Sequence, residues 1–332
     1  MAGRGPLGVV LEPLLRLHWR PFQFSLPQAM VTAHGALRER RGWLLRLEAE
    51  AGLQAVGWGE ASPLEADHPA VAAALEGLPQ TLRRSELEHL LPALPLPLGF
   101  ALGAALAERD GLGSPGGMGW LAAPASAWLL PAGPAMLAAL EQVLAQAGTP
   151  PVVKWKVAAL PVSEELELLE QLLKRLPLGA RLRLDANGGW DRATAAVWAE
   201  RLAKEPRLEW LEQPLDPSDQ AGLEALAAQL PVALDESLRA DPGLRSCWAG
   251  WQVRRPLVEG DPRPLLAALQ AGQPHWMVST ALETGIGRRW VHHLAALQAQ
   301  GPTPTAPGLA PGWCPQGDLF AGDPQLVWEA AA

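Results

Sequence analysis

The sequence has no tyrosine and only two cysteines in 332 residues. Cys247 and Cys314 stand far apart without CxxC or CxxH spacing, which argues against a disulfide framework or a cysteine-based zinc site and for two ordinary reduced thiols. No uninterrupted apolar run reaches the roughly 18 residues that a membrane span needs. The first stretch, MAGRGPLGVVLEPLLRLHWR, carries Glu12 and Arg16 within its apolar part and lacks a small-residue cleavage site, so no secretory leader is expected. A basic excess is missing as well: the net charge is −8 and the cationic residues are scattered, which argues against nucleic acid as the main partner. A soluble cytoplasmic globular protein is the expectation these absences leave.

What is present is tryptophan (15), proline (33) and glycine (33). The tryptophans are spread along the chain as packing groups, and the prolines and glycines punctuate apolar runs. The first hundred residues read as a sheet followed by helices. LLRLHWRPFQF, GWLLRLEAE and LQAVGWGEASPL are strand-like, the last two joined across Ala51–Gly52. Between the first two lies the polar stretch SLPQAMVTAHGALRERR, whose part around His34–Arg41 is expected to be a solvated loop, with a lid from this leading unit as the alternative. Helical spacing follows in HPAVAAALEGLPQTLRRSELEHLL. An α+β unit over residues 1–97 is therefore expected.

From residue 98 the chain alternates strand and helix. SAWLLPAG, VVKWKVA, RLRLDANGGW, LEWLEQPL, VALDES, GWQVRRPL and HWMVST are the strands, most followed by a run of helical periodicity. Such a rhythm over about 200 residues suits a β/α barrel better than an open sheet. Residues 98–304 are assigned to the barrel. The Pro- and Gly-rich tail, about 305–332, is expected to run back over the first unit.

Three strands end in an acid: RLRLDA at Asp185, LEWLEQP at Glu212 and VALDES at Asp235, 27 and 23 residues apart. That is one βα unit each, and barrel geometry gathers strand C-termini around a common mouth. Three converging carboxylates repel one another unless a cation lies among them, and an all-oxygen set suits a hard ion such as Mg²⁺. The alternative is that each acid caps the following helix. It fits Glu212 poorly, since Gln213–Pro214 follows and not a helix start.

The preceding strand carries Lys154 and Lys156, two apart and therefore on one face. With Val153, Trp155 and Val157 toward the helices, both lysines enter the barrel, where cationic neighbours and desolvation lower a lysine pKa and allow one to act as general base. A charged lysine snorkelling to the barrel end is the plainer alternative. Arg254 and Arg255, on the strand after VALDES, face opposite ways, so only one enters the site, and arginine is a poor proton acceptor.

The order KxK, LRLDAN, LEQP, LDES, a basic residue before proline and STALETGIG, with GWGEASPL in the leading unit, resembles the enolase superfamily, and within it the o-succinylbenzoate synthase family. The resemblance spans Gly57 to about Gly287. It implies a (β/α)7β barrel beneath an α+β capping domain, with Mg²⁺ held by Asp185, Glu212 and Asp235. It also implies Lys156 as the acid/base of an enediolate mechanism, Lys154 beside it, and Asn187 near substrate or bound water. Superfamily sites of this kind are a standard case of a lysine or histidine base working with Mg²⁺. Where the family carries a second lysine before proline, this chain has Arg255. A racemase or epimerase needs a base on each face of the carbanion, whereas a syn dehydration needs one, so the arginine favours a dehydratase over an isomerase; a one-lysine cycloisomerase stays open. The implied partner is a small-molecule substrate, and a monomer or weak homo-oligomer is expected. Ser279, Thr280 and Glu283, after the seventh strand, are candidates for holding a substrate carboxylate, with helix capping by Ser279 or Thr280 as the alternative. GLGSPG at 111–116 matches GxGxxG by letter but follows a helix, and His292 and His293 point apart on a helix; neither is read as a site.

Overall fold

The computed structural model describes residues 12–32, 35–49, 55–114 and 119–331. The leading unit is a four-stranded antiparallel sheet of β1 (Leu14–Thr32), β2 (Gly35–Ala49), β3 (Gly57–Ala61) and β4 (Thr81–Arg83), in the order β3-β2-β1-β4. Helices α1 (His68–Gly77), α2 (Arg84–Leu90) and α3 (Leu96–Arg109) accompany it. Leu15 and Leu17 of β1 and Leu45 and Leu47 of β2 alternate inward against Val71, Leu75 and Leu87 of the helices. Beyond Pro21 the buried set of β1 changes parity to Phe22, Phe24 and Leu26, so the same strand buries its other face against the C-terminal tail. Within the polar stretch the described residues 25–32 and 35–41 are strand and not loop, while His34 lies outside the described residues. These strand residues are the outer parts of β1 and β2, paired from Ser25↔Glu39 to Thr32↔Gly35 with an irregularity between Ser25 and Met30. A turn at Ala51–Gly52 lies outside the described residues.

β3 lies directly on α3. A Cβ at Gly57 would stand 2.0 Å from the Ala105 carbonyl oxygen, and one at Gly59 2.0 Å from that of Ala101. Only glycine permits this approach, which accounts for the alternation in GWGEA. Helix α3 is shared: Leu98, Ala101, Leu102 and Ala105 face the cap core, while Phe100, Ala104 and Ala107 face barrel residues such as Trp290 and Leu294. The expected boundary at 97/98 thus falls inside a helix that belongs to both cores.

The second unit is a parallel sheet of β5 (Trp128–Leu130), β6 (Val152–Lys156), β7 (Arg181–Asp185), β8 (Leu208–Glu212), β9 (Val232–Leu234), β10 (Trp251–Arg254) and β11 (Trp276–Val278), each paired with the next. The intervening helices are α4 (Ala135–Gln146), α5 (Val162–Arg175), α6 (Arg192–Leu202), α7 (Gln220–Ala227), α8 (Glu236–Ala240), α9 (Leu244–Cys247), α10 (Arg263–Gln270) and α11 (Gly285–Gln300). Helix α5 shows why these segments fold as they do. Leu168, Leu169, Leu172 and Leu173 form its buried stripe, Glu164 and Glu165 sit in its first turn, and Lys174 and Arg175 in its last, in keeping with the helix dipole. Val153, Trp155, Val157, Leu182 and Leu184 join this sheet–helix core.

Seven strands leave a gap between β11 and β5, and residues 306–309 fill it. Gly308 N donates to Val278 O, Thr280 N to Gly308 O, and Ala127 N to Pro307 O. From inside the barrel, Arg183 donates through Nη2 to Thr305 Oγ1 and Ala306 O, both at 2.7 Å, while stacking over Trp210. The eighth strand of the (β/α)7β barrel is therefore this segment, which the sequence had assigned to the tail. The rest of the tail, including α12 (Pro324–Ala330), lies on the leading unit: Phe320 meets Phe24 edge to face, Trp328 packs on Trp58, and Arg20 Nη1 donates to Trp328 O at 3.0 Å. Among the described residues no helix is long and apolar enough to cross a membrane, and both cysteines are free.

Candidate active site

The register Lys156↔Asp185↔Glu212 places three side chains at one level of the barrel mouth, and Asp235 follows β9 directly. Lys154 enters the barrel one layer below Lys156. Its Nζ lies 2.8 Å from Asp185 Oδ2 and 2.5 Å from Glu212 Oε1. Lys156 Nζ lies 3.3 Å from Asp185 Oδ2 and donates to Asn187 Oδ1 at 2.6 Å. Arg255 grips Asp235 with both arms, Nε to Oδ1 at 2.8 Å and Nη2 to Oδ2 at 2.5 Å, and donates through Nη1 to Thr280 O. Arg254 points outward, paired with Glu259 and stacked on Trp276. Of the two arginines, Arg255 is the one inside.

Helix capping does not explain the acids. α6 and α7 are capped by Asp191 and Asp219, and Asp235 precedes α8 without a capping hydrogen bond. The mouth is instead built from constrained backbone. Ala158, Asn187, Gln213 and Leu282 have φ of 62°, 46°, 38° and 64°, each just beyond a barrel strand. Non-glycine residues in the left-handed region gather where surrounding structure over-determines them, commonly at functional sites. The bonds that hold these turns are visible: Glu165 accepts from Ala158 N, Ala159 N and Leu160 N, and Gln213 Oε1 accepts from Asp235 N and Ser237 N.

Burial and charge set the protonation states. Desolvation alone would lower the Lys154 pKa, but Asp185, Glu212 and Asp235 outweigh it and push it up, so Lys154 is a fixed ammonium and not the low-pKa lysine expected of one member of the pair. Burial raises Asp185, yet two lysines overcome that and hold it below the usual range. Of the two lysines only Lys154 pairs with Glu212, and burial together with the charges of Asp185 and Asp235 leaves its pKa raised. One ammonium cannot satisfy two carboxylates equally. Glu236 was not singled out from the sequence, where it reads as an ordinary first-turn acid. It accepts from Asn187 Nδ2 at 3.0 Å, and burial plus the charges of Asp235 and Asp185 push its pKa up to about 7.

The other expected residues are placed differently. Ser279 Oγ donates to Gly308 O and so serves the barrel closure, while Thr280 Oγ1 donates to Glu283 Oε2 at 2.8 Å. The cap of α11 is Thr284, not Ser279 or Thr280. Glu60 of β3 accepts from Thr284 N, Thr284 Oγ1 and Gly287 N, tying the GWGEA strand to that helix start. Thr280, Leu282 and Glu283 line a small cavity with Phe24 of β1, which brings the leading unit to the rim of the barrel. His293 accepts from Leu121 N and packs on Trp120, and residues 111–114 form a turn after α3; neither forms part of the mouth.

The donor set suits a hard divalent cation. Asp185, Glu212, Asp235 and Glu236 face Lys154, Lys156 and Arg255, an anionic surplus of one when all are ionised. Glu236 Oε2 is buried without a hydrogen-bond partner. Among the described residues no three His, Cys, Asp or Glu side chains converge as a metal cluster. The reason is local: Lys154 and Arg255 lie against the oxygens an ion would use.

A family model described as "Enolase C-terminal domain-like" matches residues 135–245. The o-succinylbenzoate synthase of Thermosynechococcus vestitus is 36% identical over 295 residues, covering 84% of this chain and 88% of that protein. The crystal structure of o-succinylbenzoate synthase from Thermosynechococcus elongatus BP-1, complexed with Mg in the active site, superposes with a TM-score of 0.79 at 32% identity, covering 95% of this chain and 99% of that one. The chain belongs to the o-succinylbenzoate synthase family of the enolase superfamily. The superfamily fold extends further: the L-Ala-D/L-Glu epimerase of Bacillus subtilis matches with a TM-score of 0.70 at 21% identity over 92% of both chains. By its membership the chain is a lyase of the o-succinylbenzoate synthase family.

Proposed function

We propose that the chain catalyses the Mg²⁺-dependent syn dehydration of 2-succinyl-6-hydroxy-2,4-cyclohexadiene-1-carboxylate to o-succinylbenzoate, a step toward menaquinone or phylloquinone, in the cytoplasm. The observation that carries this is the composition of the mouth: Lys156, with a partly exposed side chain against Asp185, and, on Asp235, an arginine in place of a second lysine. Asp185, Glu212 and Asp235 would hold the ion, which when bound supplies a Lewis acid for the negative charge developing on the substrate carboxylate.

Lys156 removes the proton α to that carboxylate, and the electron pair stays in the ring system. As an ammonium, Lys156 then protonates the hydroxyl leaving from the same face, so water departs and the ring becomes aromatic. Lys154 and Arg255 remain cationic and stabilise the anion electrostatically. On this reading the succinyl arm enters the cavity that Thr280 and Glu283 line with Phe24. Arg255, held protonated against Asp235, cannot return a proton from the opposite face, and this weighs against an epimerase. A monomer or weak homo-oligomer suffices for this chemistry.

The test is ultraviolet-monitored turnover of the cyclohexadiene carboxylate with Mg²⁺ and with EDTA, for wild type and Lys156→Ala. Metal-dependent aromatisation lost in the variant is expected. Absence of turnover by wild type in the presence of Mg²⁺ would overturn the assignment.

A further inference from the structure

Lys156, Asn187 and Glu236 form a chain across the mouth, from the ends of β6, β7 and β9. Lys156 Nζ donates to Asn187 Oδ1 at 2.6 Å, and Asn187 Nδ2 donates to Glu236 Oε1 at 3.0 Å. The polarity of this chain is fixed by chemistry. An ammonium only donates, so the asparagine must present its oxygen to Lys156; its NH₂ then faces Glu236, which must accept. An amide rotated by half a turn would aim NH₂ at a cation. Asn187 is held from its backbone as well, with φ of 46° and its N–H on Asp185 Oδ1 at 3.1 Å. What its backbone does not fix is the rotation of the side-chain amide, and that is the degree of freedom Glu236 removes.

We propose that Glu236 is a positioning residue: by accepting from Asn187 Nδ2 it locks the amide with Oδ1 toward Lys156, and so holds the Lys156 amine at the face of the site where the proton is transferred. The catalytic consequence rests on the function proposed above, whereas the hydrogen-bond chain does not. Two variants separate the acceptor from the charge. Glu236→Gln keeps an oxygen for Asn187 and removes the negative charge; Glu236→Leu removes both. Asn187→Gly opens the chain from its middle and tolerates the positive φ.

The spectroscopic readout exploits a property of the sequence, which contains only four lysines, at 154, 156, 174 and 204. In protein labelled with ¹⁵N-lysine, at slightly acid pH and low temperature, the exposed Lys174 and Lys204 ammonium protons exchange too fast to give signals, while the held groups of Lys154 and Lys156 give two. Glu236→Leu and Asn187→Gly are expected to lose the Lys156 signal and keep that of Lys154, and Glu236→Gln to keep both. In steady-state turnover, Glu236→Leu is expected to lower kcat by about tenfold to a hundredfold with little change in KM, as for a misplaced catalytic group, and Glu236→Gln to recover most of it. Persistence of the Lys156 signal in Glu236→Leu, its absence from the wild type, or equal damage by Gln and Leu would each overturn the proposal. If the wild type does not turn over the diene, the function fails, and the two NMR signals still decide the positioning role.

Discussion

Replacing Lys154 by methionine keeps most of the stem volume and deletes an ammonium that bridges two buried carboxylates. Asp185 retains Lys156 as a partner at 3.3 Å, but Glu212 is left with the Trp210 indole N–H at 3.4 Å. Breaking a buried ion pair by removing one partner costs about 3–5 kcal/mol. At about 2.1 cal/mol/K of unfolding entropy per residue, 332 residues give ~0.7 kcal/mol/K, so the melting temperature should fall by about 4–7 °C. The sign of the pH dependence follows from Glu212. Its folded pKa is already raised and rises further without Lys154, so the folded state favours its protonated form. That contribution is complete below the unfolded carboxylate pKa of about 4.3 and is lost as pH climbs toward the folded value. The penalty of Lys154→Met should therefore be small in mild acid and grow toward neutrality. Urea unfolding of both proteins in EDTA across that range measures it. A penalty below about 1 kcal/mol, or one independent of pH, would refute the account of Lys154 as the counter-ion of Glu212.

Two further outcomes are expected. Arg255→Met leaves Asp235 without its bidentate partner; losing one or two charge-assisted bonds at about 1.5–3 kcal/mol each should lower kcat/KM at least about tenfold, while Arg255→Lys, which keeps the charge and one bond, should retain more activity. Equal rates for the two variants in the ultraviolet assay would show that the cation opposite Lys156 is immaterial. Gly59→Ala drives a methyl group into the Ala101 carbonyl and should destabilise by about 1–3 kcal/mol, read as a lower urea midpoint; an unchanged midpoint would mean that β3 does not lie on α3 as closely as described.

The shared level of the strand-end residues was legible because barrel register turns regular chain spacing into neighbouring positions, and two lysines at strand spacing have few interpretations. Three features were not legible, each for a local reason. The outer parts of β1 and β2, 25–32 and 35–41, intersperse polar and apolar residues without the strict alternation that marks a strand in sequence. Glu236 was masked by Asp235 beside it and by its place in a helix first turn, where acids are commonplace. Residues 305–309, TAPGL, have neither the branched side chains nor the alternation of a barrel strand; they take that place because Arg183, Ser126 and Ser279 hold them there. Such clamps connect residues far apart in the chain, and no local pattern announces them. That Lys154 is held as an ammonium was not legible, because the sequence does not show that two carboxylates share it.

The late position of the closing segment has a consequence for how the chain is made. A ribosome releases the seven strands, both barrel lysines and all three strand-end acids well before residue 309, yet until 306–309 emerges the wall between β11 and β5 stays open and Arg183 lacks its partners inside the barrel. The cap waits longer still, since the outer face of β1 is covered only when Phe320 and Trp328 arrive. Nascent chains stalled short of residue 305 should therefore carry an exposed sheet edge and an uncovered aromatic face, the surfaces that chaperones recognise.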